Sequence, residues 1–426
     1  MHSGSAFRAV SRAATAGRMR TSVAPMIDVT DPCFLRLLRL ISPFGNHQLW
    51  TEMVHANAFS RGQMHLDQIK LAHHIPIHEL EDFAHGTVVQ IGASDPNDAY
   101  AAVSELRQMG VRHVNLNCGC PSRNVQMGSF GAVLMTRPEL AAQIVKSMLV
   151  AATESPTENS PPAHISVKCR IGIDEDESPE FLRLFIDSII NATDSVAAAS
   201  SAPVSFVLHA RRAWLSGLSP EQNRSVPLLN HARAYEMARD YPHTQFVVNG
   251  GADSIQAVHD HLQNVDGVMI GRKIRENPWF LSELDQHVYG EPAQNIPLIT
   301  DVLDEYLRFA DHMHSEYAMR YTRLARPLYA LFAGRKGKAF RRHLGQALVQ
   351  ARSERGCSNG DADAGADTGS GAESGYRVRF SEVVAEAAHN AEQEHAQNAA
   401  AAAAASSARV VTSTDVASTA EQQQAA

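Results

Sequence analysis

Eight short apolar segments of strand length, alternating with stretches of helical periodicity, constrain this 426-residue chain more than any other feature. The segments are Ser22–Pro25, Leu49–Met53, Val88–Ile91, His113–Asn117, Ile165–Cys169, Phe206–His209, Phe246–Asn249 and Val268–Ile270. Helical patterns at Asp98–Gln108, Pro138–Ala151, Pro179–Asn191, His231–Arg239 and Ile255–His261 fall between them. Alternation of this count and length predicts an α/β fold, a (β/α)8 TIM barrel with a filled interior and its chemistry at the C-terminal edge of the strands. Thr153–Ala163 and Thr193–Pro203 read as surface insertions in that barrel.

The strand ends support the same reading independently. They present Met26, Glu52, Gln90, Asn117, Lys168, His209, Asn249 and Gly271-Arg272 in turn, whereas the residues before them are apolar. A core has no use for a polar group at every strand end, so the mouth of the barrel is expected to be a site. Two of these edges are glycine-rich, Asn249-Gly250-Gly251 and Gly271-Arg272. In barrels the loops after strands seven and eight commonly hold a phosphate on backbone N–H groups, and an arginine adds charge-assisted hydrogen bonds. The fourth edge runs Asn117-Cys118-Gly119-Cys120-Pro121-Ser122. Pro121 biases Cys120 toward extended geometry and Gly119 removes a side chain, so Cys120 is expected to be aimed rather than packed. Cys118 is expected to be a small packed residue.

Composition narrows the partners. The apolar share of 44% supplies core for one large domain or two ordinary ones, and no apolar run reaches the ~20 residues of a membrane span. The five cysteines show no zinc spacing, and no metal is expected. Their odd count and the lack of a secretory pattern indicate a reducing compartment. The net charge of −8 is local: residues 351–426 carry −6 and the remainder only −2. Met319 to Arg342 holds eight basic residues and no acidic one, a stretch suited to phosphate backbones. Residues 1–20, with Arg8, Arg12, Arg18 and Arg20 and no acid, have the composition of an organelle transit peptide or a disordered extension. The expected location is therefore cytoplasmic, or plastid or mitochondrial if that segment targets the chain.

The expected organisation is an extension over 1–20, a barrel over 21–295 and a helical domain over 296–355. A disordered insertion over 356–376, a final helix of the helical domain over 377–398 and a disordered tail over 399–426 complete it. Within the helical domain, helices are expected at Thr300–Tyr317, Tyr321–Ala333 and Arg341–Arg352.

Several motifs occur in one order: Ala24-Pro25-Met26, Asn115 to Ser122, Val167-Lys168-Cys169-Arg170-Ile171-Gly172, and the long block from His209 to Arg224. Together they resemble the tRNA-dihydrouridine synthases over about Thr21 to Gly345, and the His209 to Arg224 block is most similar to the DusA-type subgroup. The resemblance implies FMN held by Ala24, Pro25, Met26, Gln90, Lys168, His209, Asn249, Gly250, Gly251, Gly271 and Arg272. It implies NADPH as electron donor, tRNA as partner and reduction of the uridine C5–C6 bond, with hydride from flavin N5 to C6. Cys120 is the implied catalytic acid toward C5, a role that an ordinary thiol of pKa about 8.5 can fill because it is mostly protonated at neutral pH.

Substrate contacts are expected from Asn117, Arg211, Arg224, Lys338 and Arg341, and the uridine must leave its stack to reach the barrel mouth. The subgroup's targets, D-loop positions 20 and 20a, are the expected ones here. Glu221 and Lys338 depart from its pattern and bear on how the tRNA is oriented. An FMN barrel acting on a small molecule keeps the same flavin residues and remains the alternative. A monomer is expected, although nothing in the sequence fixes the oligomeric state.

Overall fold

The structure is a computed structural model, and it describes residues 20–60, 86–154, 162–200, 203–332, 334–353, 379–394 and 397. The expectations for residues 1–19, 356–376 and 399–426, and for most of Thr153–Ala163, lie outside these residues. The chain divides into two compact units, Met1–Leu303 and Asp304–Ala426.

In the first unit eight strands form a closed barrel in chain order. They are β1 (Thr21–Val23), β2 (His47–His55), β3 (Thr87–Gly92), β4 (His113–Cys118), β5 (His164–Arg170), β6 (Ser205–His209), β7 (Phe246–Asn249) and β8 (Gly267–Ile270). Every neighbouring pair is parallel, and β1 closes the ring against β8. All eight expected strands are present, and the fold is a TIM barrel followed in the chain by further helices. β1 ends before the expected Pro25, which has no N–H to donate; the last bond there is Ala24 N–H to the Ile270 carbonyl, 2.8 Å.

The strand sequences alternate, and the barrel uses that alternation. On β4, Val114, Leu116 and Cys118 are fully buried against the helices, while Asn115 and Asn117 point into the lumen with Ser166 and Lys168 of β5. Beneath the polar layer sits an apolar plug of Ala24, Trp50, Val88, Val207 and Met269, with Val247 packed against it. Val88, Val207 and Val247 each lie two residues before Gln90, His209 and Asn249, so one pleat separates the plug from the mouth.

Helix starts follow local chemistry. Asp95 precedes Pro96 and accepts the N–H groups of Asn97 (2.7 Å) and Asp98 (3.2 Å), which opens helix Pro96–Gln108. Asp31 and Pro32 open helix Pro32–Ile41 in the same way, through the Phe34 N–H at 2.9 Å. One expectation fails: Thr193–Pro203 is not an insertion along its length, because helix Pro179–Ser200 continues through it. Val196 and Ala197 to Ala199 are compatible with continued helix, and Thr193 is turned inward with its hydroxyl on the Ile189 carbonyl, 2.8 Å.

The second unit is helical. Its elements are Ile299–Tyr317 (beginning in the first unit), Tyr321–Ala325, a 3-10 turn Arg326–Ala330, Gly334–Ser353 and a helix over residues 380–394. The expected helix Tyr321–Ala333 breaks at Arg326, where Pro327 has no N–H for an interior turn. Phe380, Val383, Val384, Ala387 and Ala391 of the last helix are buried, and Phe380 packs on Tyr321 with ring centroids 5.4 Å apart. Among the described residues no helix is long and apolar enough to cross a membrane.

Candidate active site

The mouth is organised by a chain of side-chain amides whose direction is fixed. Asn117 Oδ1 accepts the backbone N–H groups of Gly119 and Cys120, both at 3.0 Å. Backbone nitrogens only donate, so this atom is the oxygen and the amide group of Asn117 faces the other way. It donates to Gln90 Oε1 (2.9 Å), Gln90 Nε2 donates to Asn115 Oδ1 (2.8 Å), and Asn115 Nδ2 donates to Ser166 Oγ (2.9 Å). The Gln90 backbone N–H is held by Thr51 Oγ1 at 3.2 Å. Four strands, β2 to β5, are thus laced together directly below Cys120. Asn117, expected at the substrate, is in this structure first of all the anchor of the Cys120 turn.

Cys120 is half-buried, whereas Cys33, Cys118 and Cys169 are buried. Its carbonyl accepts the Ala132 N–H at 2.9 Å, and its Sγ lies 3.5 Å from Ser122 Oγ. Gly131, with φ +75°, brings the chain so close that a Cβ there would lie 2.6 Å from the Cys120 carbonyl oxygen. Burial pushes the Cys118 thiol well up and the Cys169 thiol up to about 12, so both stay neutral packing groups.

The electrostatics are one-sided. Lys168 lines the lumen, still partly open to solvent but surrounded by protein, and its pKa falls to about 8 through lost hydration and then the nearby Arg170 charge. Burial, followed by Arg170, Lys168, Arg211 and Arg272, holds His209 well below the ordinary histidine range, so its imidazole is neutral at pH 7. Arg170 is buried, and its pKa falls to about 10, first by burial. It donates to three carbonyls, Gly119 (3.1 Å), Arg212 (3.1 Å) and Asn223 (3.0 Å). None of Lys168, Arg170, Arg211, Arg224 and Arg272 has a carboxylate partner among the described residues.

The glycine loops close the mouth opposite Cys120. Gly250 (φ +107°) and Gly251 (φ +79°) both use the left-handed region. A Cβ on Gly250 would stand 3.1 Å from the His209 ring, and one on Gly251 3.1 Å from His231. Asn249 is committed to the Met269 carbonyl at 2.9 Å. Gly271 precedes helix Arg272–Glu276, lies against Ala24 and Met26, and leaves Arg272 exposed. Met26 caps its own turn, its carbonyl accepting Val29 N–H (3.0 Å) and Thr30 N–H (2.9 Å). Ala24 and Pro25 lead into that turn from β1.

The loop after β6 carries Arg211, which donates to the Pro227 carbonyl, and Arg224, which is exposed. Arg212 reaches Glu177 at 3.6 Å and stacks over Trp214 at 5.3 Å, so its charge is matched locally. In the second unit Lys338 and Arg341 are exposed, and Arg341 Nη1 donates to the Tyr329 (3.2 Å) and Phe332 (3.3 Å) carbonyls. The acid-free run from Met319 to Arg342 is not acid-free in space. Glu394, on the last helix, pairs with Arg342 and lies 2.9 Å from His343.

Sequence reasoning missed Arg170 as a structural centre, along with Asn115, Gln126 and Asn223. Asn115 carried a signal, a polar residue at the inward phase of an apolar strand. The others make long-range contacts with backbone and carried none.

A neutral imidazole, a half-buried thiol and five unmatched cations around a glycine-lined opening define a barrel built to take up an anionic ligand and to move protons beside it. Comparison with known proteins supplies the family. The dihydrouridine synthase family model matches residues 22–363. A tRNA-dihydrouridine(20/20a) synthase of Shewanella oneidensis is 36% identical over 326 residues, 76% of this chain and 88% of that protein. The Xanthomonas campestris protein of the same name is 37% identical over 335 residues, 78% of this chain and 90% of its own length. The chain belongs to the dihydrouridine synthase family of flavin-dependent oxidoreductases.

Proposed function

We propose that this enzyme is an FMN-dependent tRNA-dihydrouridine synthase that reduces uridines 20 and 20a of the D-loop at the expense of NADPH. The observation that carries the reading is the Cys120 turn, held by Asn117 beside Lys168 in a mouth whose cations have no carboxylate of their own. The residues fit FMN by their chemistry. Unmatched Arg272 and the positive-φ glycines Gly250 and Gly251 suit a phosphate, and Lys168 suits negative charge on a reduced ring. Neutral His209 and Gln90 offer polar contacts to such a ring, while Ala24, Pro25, Met26, Asn249 and Gly271 shape the wall around it.

When bound, the flavin supplies the hydride for C6 of the uracil. The chain's own task is to hold the base and to deliver a proton to C5 from the Cys120 thiol. Arg211 and Arg224 on the β6 loop, with Lys338 and Arg341 of the second unit, supply charge for the RNA backbone. A uridine flipped from its stack reaches a mouth whose loops also expose the apolar side chains Ile27 and Met127.

The test is anaerobic. The protein is reduced with NADPH, mixed with tRNA that lacks dihydrouridine, and followed by flavin absorbance. Reoxidation by that tRNA, slowed about 100-fold or more in Cys120→Ala, is expected for a proton donor in the chemical step. A flavin that is reduced but ignores tRNA would move the protein to a small-molecule substrate.

A further inference from the structure

The backbone on both sides of Cys120 is tied to one other segment, the loop after β6. On the near side, the Gly119 carbonyl accepts from Arg170 Nε (3.1 Å), whose Nη1 reaches the Arg212 and Asn223 carbonyls. On the far side, the Pro121 carbonyl accepts from Gln126 Nε2 at 2.7 Å, and the same nitrogen donates to the Leu215 carbonyl at 2.7 Å. A primary amide nitrogen has two hydrogens, and both are used here. Asn223 is fully buried and holds Trp214 through both backbone groups, N–H to Oδ1 (2.7 Å) and Nδ2 to carbonyl (3.0 Å). The exposed Arg224 follows it directly.

We propose that Gln126 is a positioning residue for the proton donor. With Arg170 it joins the Cys120 turn and the Arg212 to Arg224 loop into one body, so that RNA seated on that loop sets where the thiol stands. This rests on the reading of Cys120 as the proton donor. The chemistry required of residue 126 is narrow: two N–H donors from one atom, about a glutamine's length from the short helix Arg123–Met127 that carries it. A glutamate of the same size cannot donate, and it would set a carboxylate against two carbonyl oxygens.

The experiment uses flavin-loaded holoenzyme of the wild type, Gln126→Ala, Gln126→Glu and Cys120→Ala. Five quantities are measured: single-turnover flavin reoxidation at saturating tRNA, tRNA affinity, melting temperature, flavin content, and alkylation of Cys120 by iodoacetamide without RNA, resolved by peptide mass spectrometry. Both Gln126 variants are expected to lower the reoxidation rate about 10- to 100-fold, the usual result of misplacing a reacting group by about an ångström. Their tRNA affinity should stay within about threefold of wild type, while Cys120 alkylation rises about fivefold as its turn loosens.

Rates and alkylation within about twofold of wild type in both variants would overturn the proposal. So would wild-type behaviour of Gln126→Glu alone, since size without donors would then suffice. A rate loss that merely tracks falling melting temperature and flavin content would assign Gln126 to stability and overturn it as well. Wild-type reoxidation in Cys120→Ala would remove the proton-donor reading itself, whereas a slow Cys120→Ala beside an unaffected Gln126→Ala sinks only the positioning role.

Discussion

The floor and the mouth of the barrel both bury charged and polar groups, and they treat them in opposite ways. At the floor, Thr21 and His47 stand opposite each other at the start of β1 and β2. His47 lies between Thr21 Oγ1 (Nδ1, 2.5 Å) and Asp285 Oδ1 (Nε2, 3.0 Å), and Asn46 Nδ2 adds a 3.0 Å bond to the same carboxylate. The Tyr289 hydroxyl takes the Arg20 and Thr21 N–H groups, both at 2.9 Å. His47 and Asp285 are 2% and 0% exposed, so no ligand can enter, and the chain supplies the partners of the carboxylate itself. At the mouth, five cations lack a carboxylate; Arg170 and Arg211 are buried on backbone carbonyls, whereas Lys168 faces the lumen and Arg224 and Arg272 are exposed. The floor's polar groups therefore serve stability, and the mouth's are held ready for a ligand that brings negative charge.

The sharpest way to break this comparison is at the floor. Asp285→Ala leaves His47 and Asn46 facing a buried void and is expected to cost about 3 kcal/mol, read by chemical denaturation. The folded fraction should still bind FMN normally; a selective loss of FMN affinity with unchanged stability would erase the distinction. At the mouth the converse applies. Lys168→Met removes a poorly hydrated charge, so the cofactor-free protein should be no less stable, while FMN affinity by fluorescence titration falls about 10- to 100-fold.

Two smaller effects sharpen the mouth further. Gly250→Ala puts a Cβ at φ +107° and 3.1 Å from His209, and about 1–2 kcal/mol of strain should appear mainly as weaker FMN binding. The smallest effect is pH dependence. Lys168 is charged below about 8 and neutral above it, so FMN affinity should be level up to about pH 7 and decline above 8, by at most about tenfold per unit. The free protein has the opposite slope. Between about 8 and 10.5 the unfolded chain holds a proton that the fold has released, so stability rises with pH across that window. An FMN affinity flat to pH 10 would remove Lys168 from the cofactor site.

Much of this was legible in advance, for reasons that particular residues make plain. The strands could be read because Val114, Leu116 and Cys118 alternate with Asn115 and Asn117, and a pleated strand turns that alternation into two faces. Helix starts could be read because an Asp-Pro pair caps and sets φ locally, as at Asp95-Pro96. The helix through Thr193 to Ser200 was missed because its small and polar residues have the composition of a loop; a single inward hydroxyl and the packing of Phe185, Ile186 and Ile189 before it keep it helical. The Arg342 to Glu394 pair was missed because its partners are 52 positions apart.

By itself the sequence determined the barrel, the polar ring at its mouth and the residue types available there, since these depend on periods of two to four residues and on the chemistry of each side chain. Only the tertiary structure decided which partners those side chains take. It gave Asn117 the task of anchoring the Cys120 turn, paired Arg212 and Arg342 with carboxylates, and set Arg170 and Gln126 across two loops. Hydrogen-bond partners and counter-charges are chosen by distance in space, and a closed barrel brings together strand ends that lie far apart along the chain.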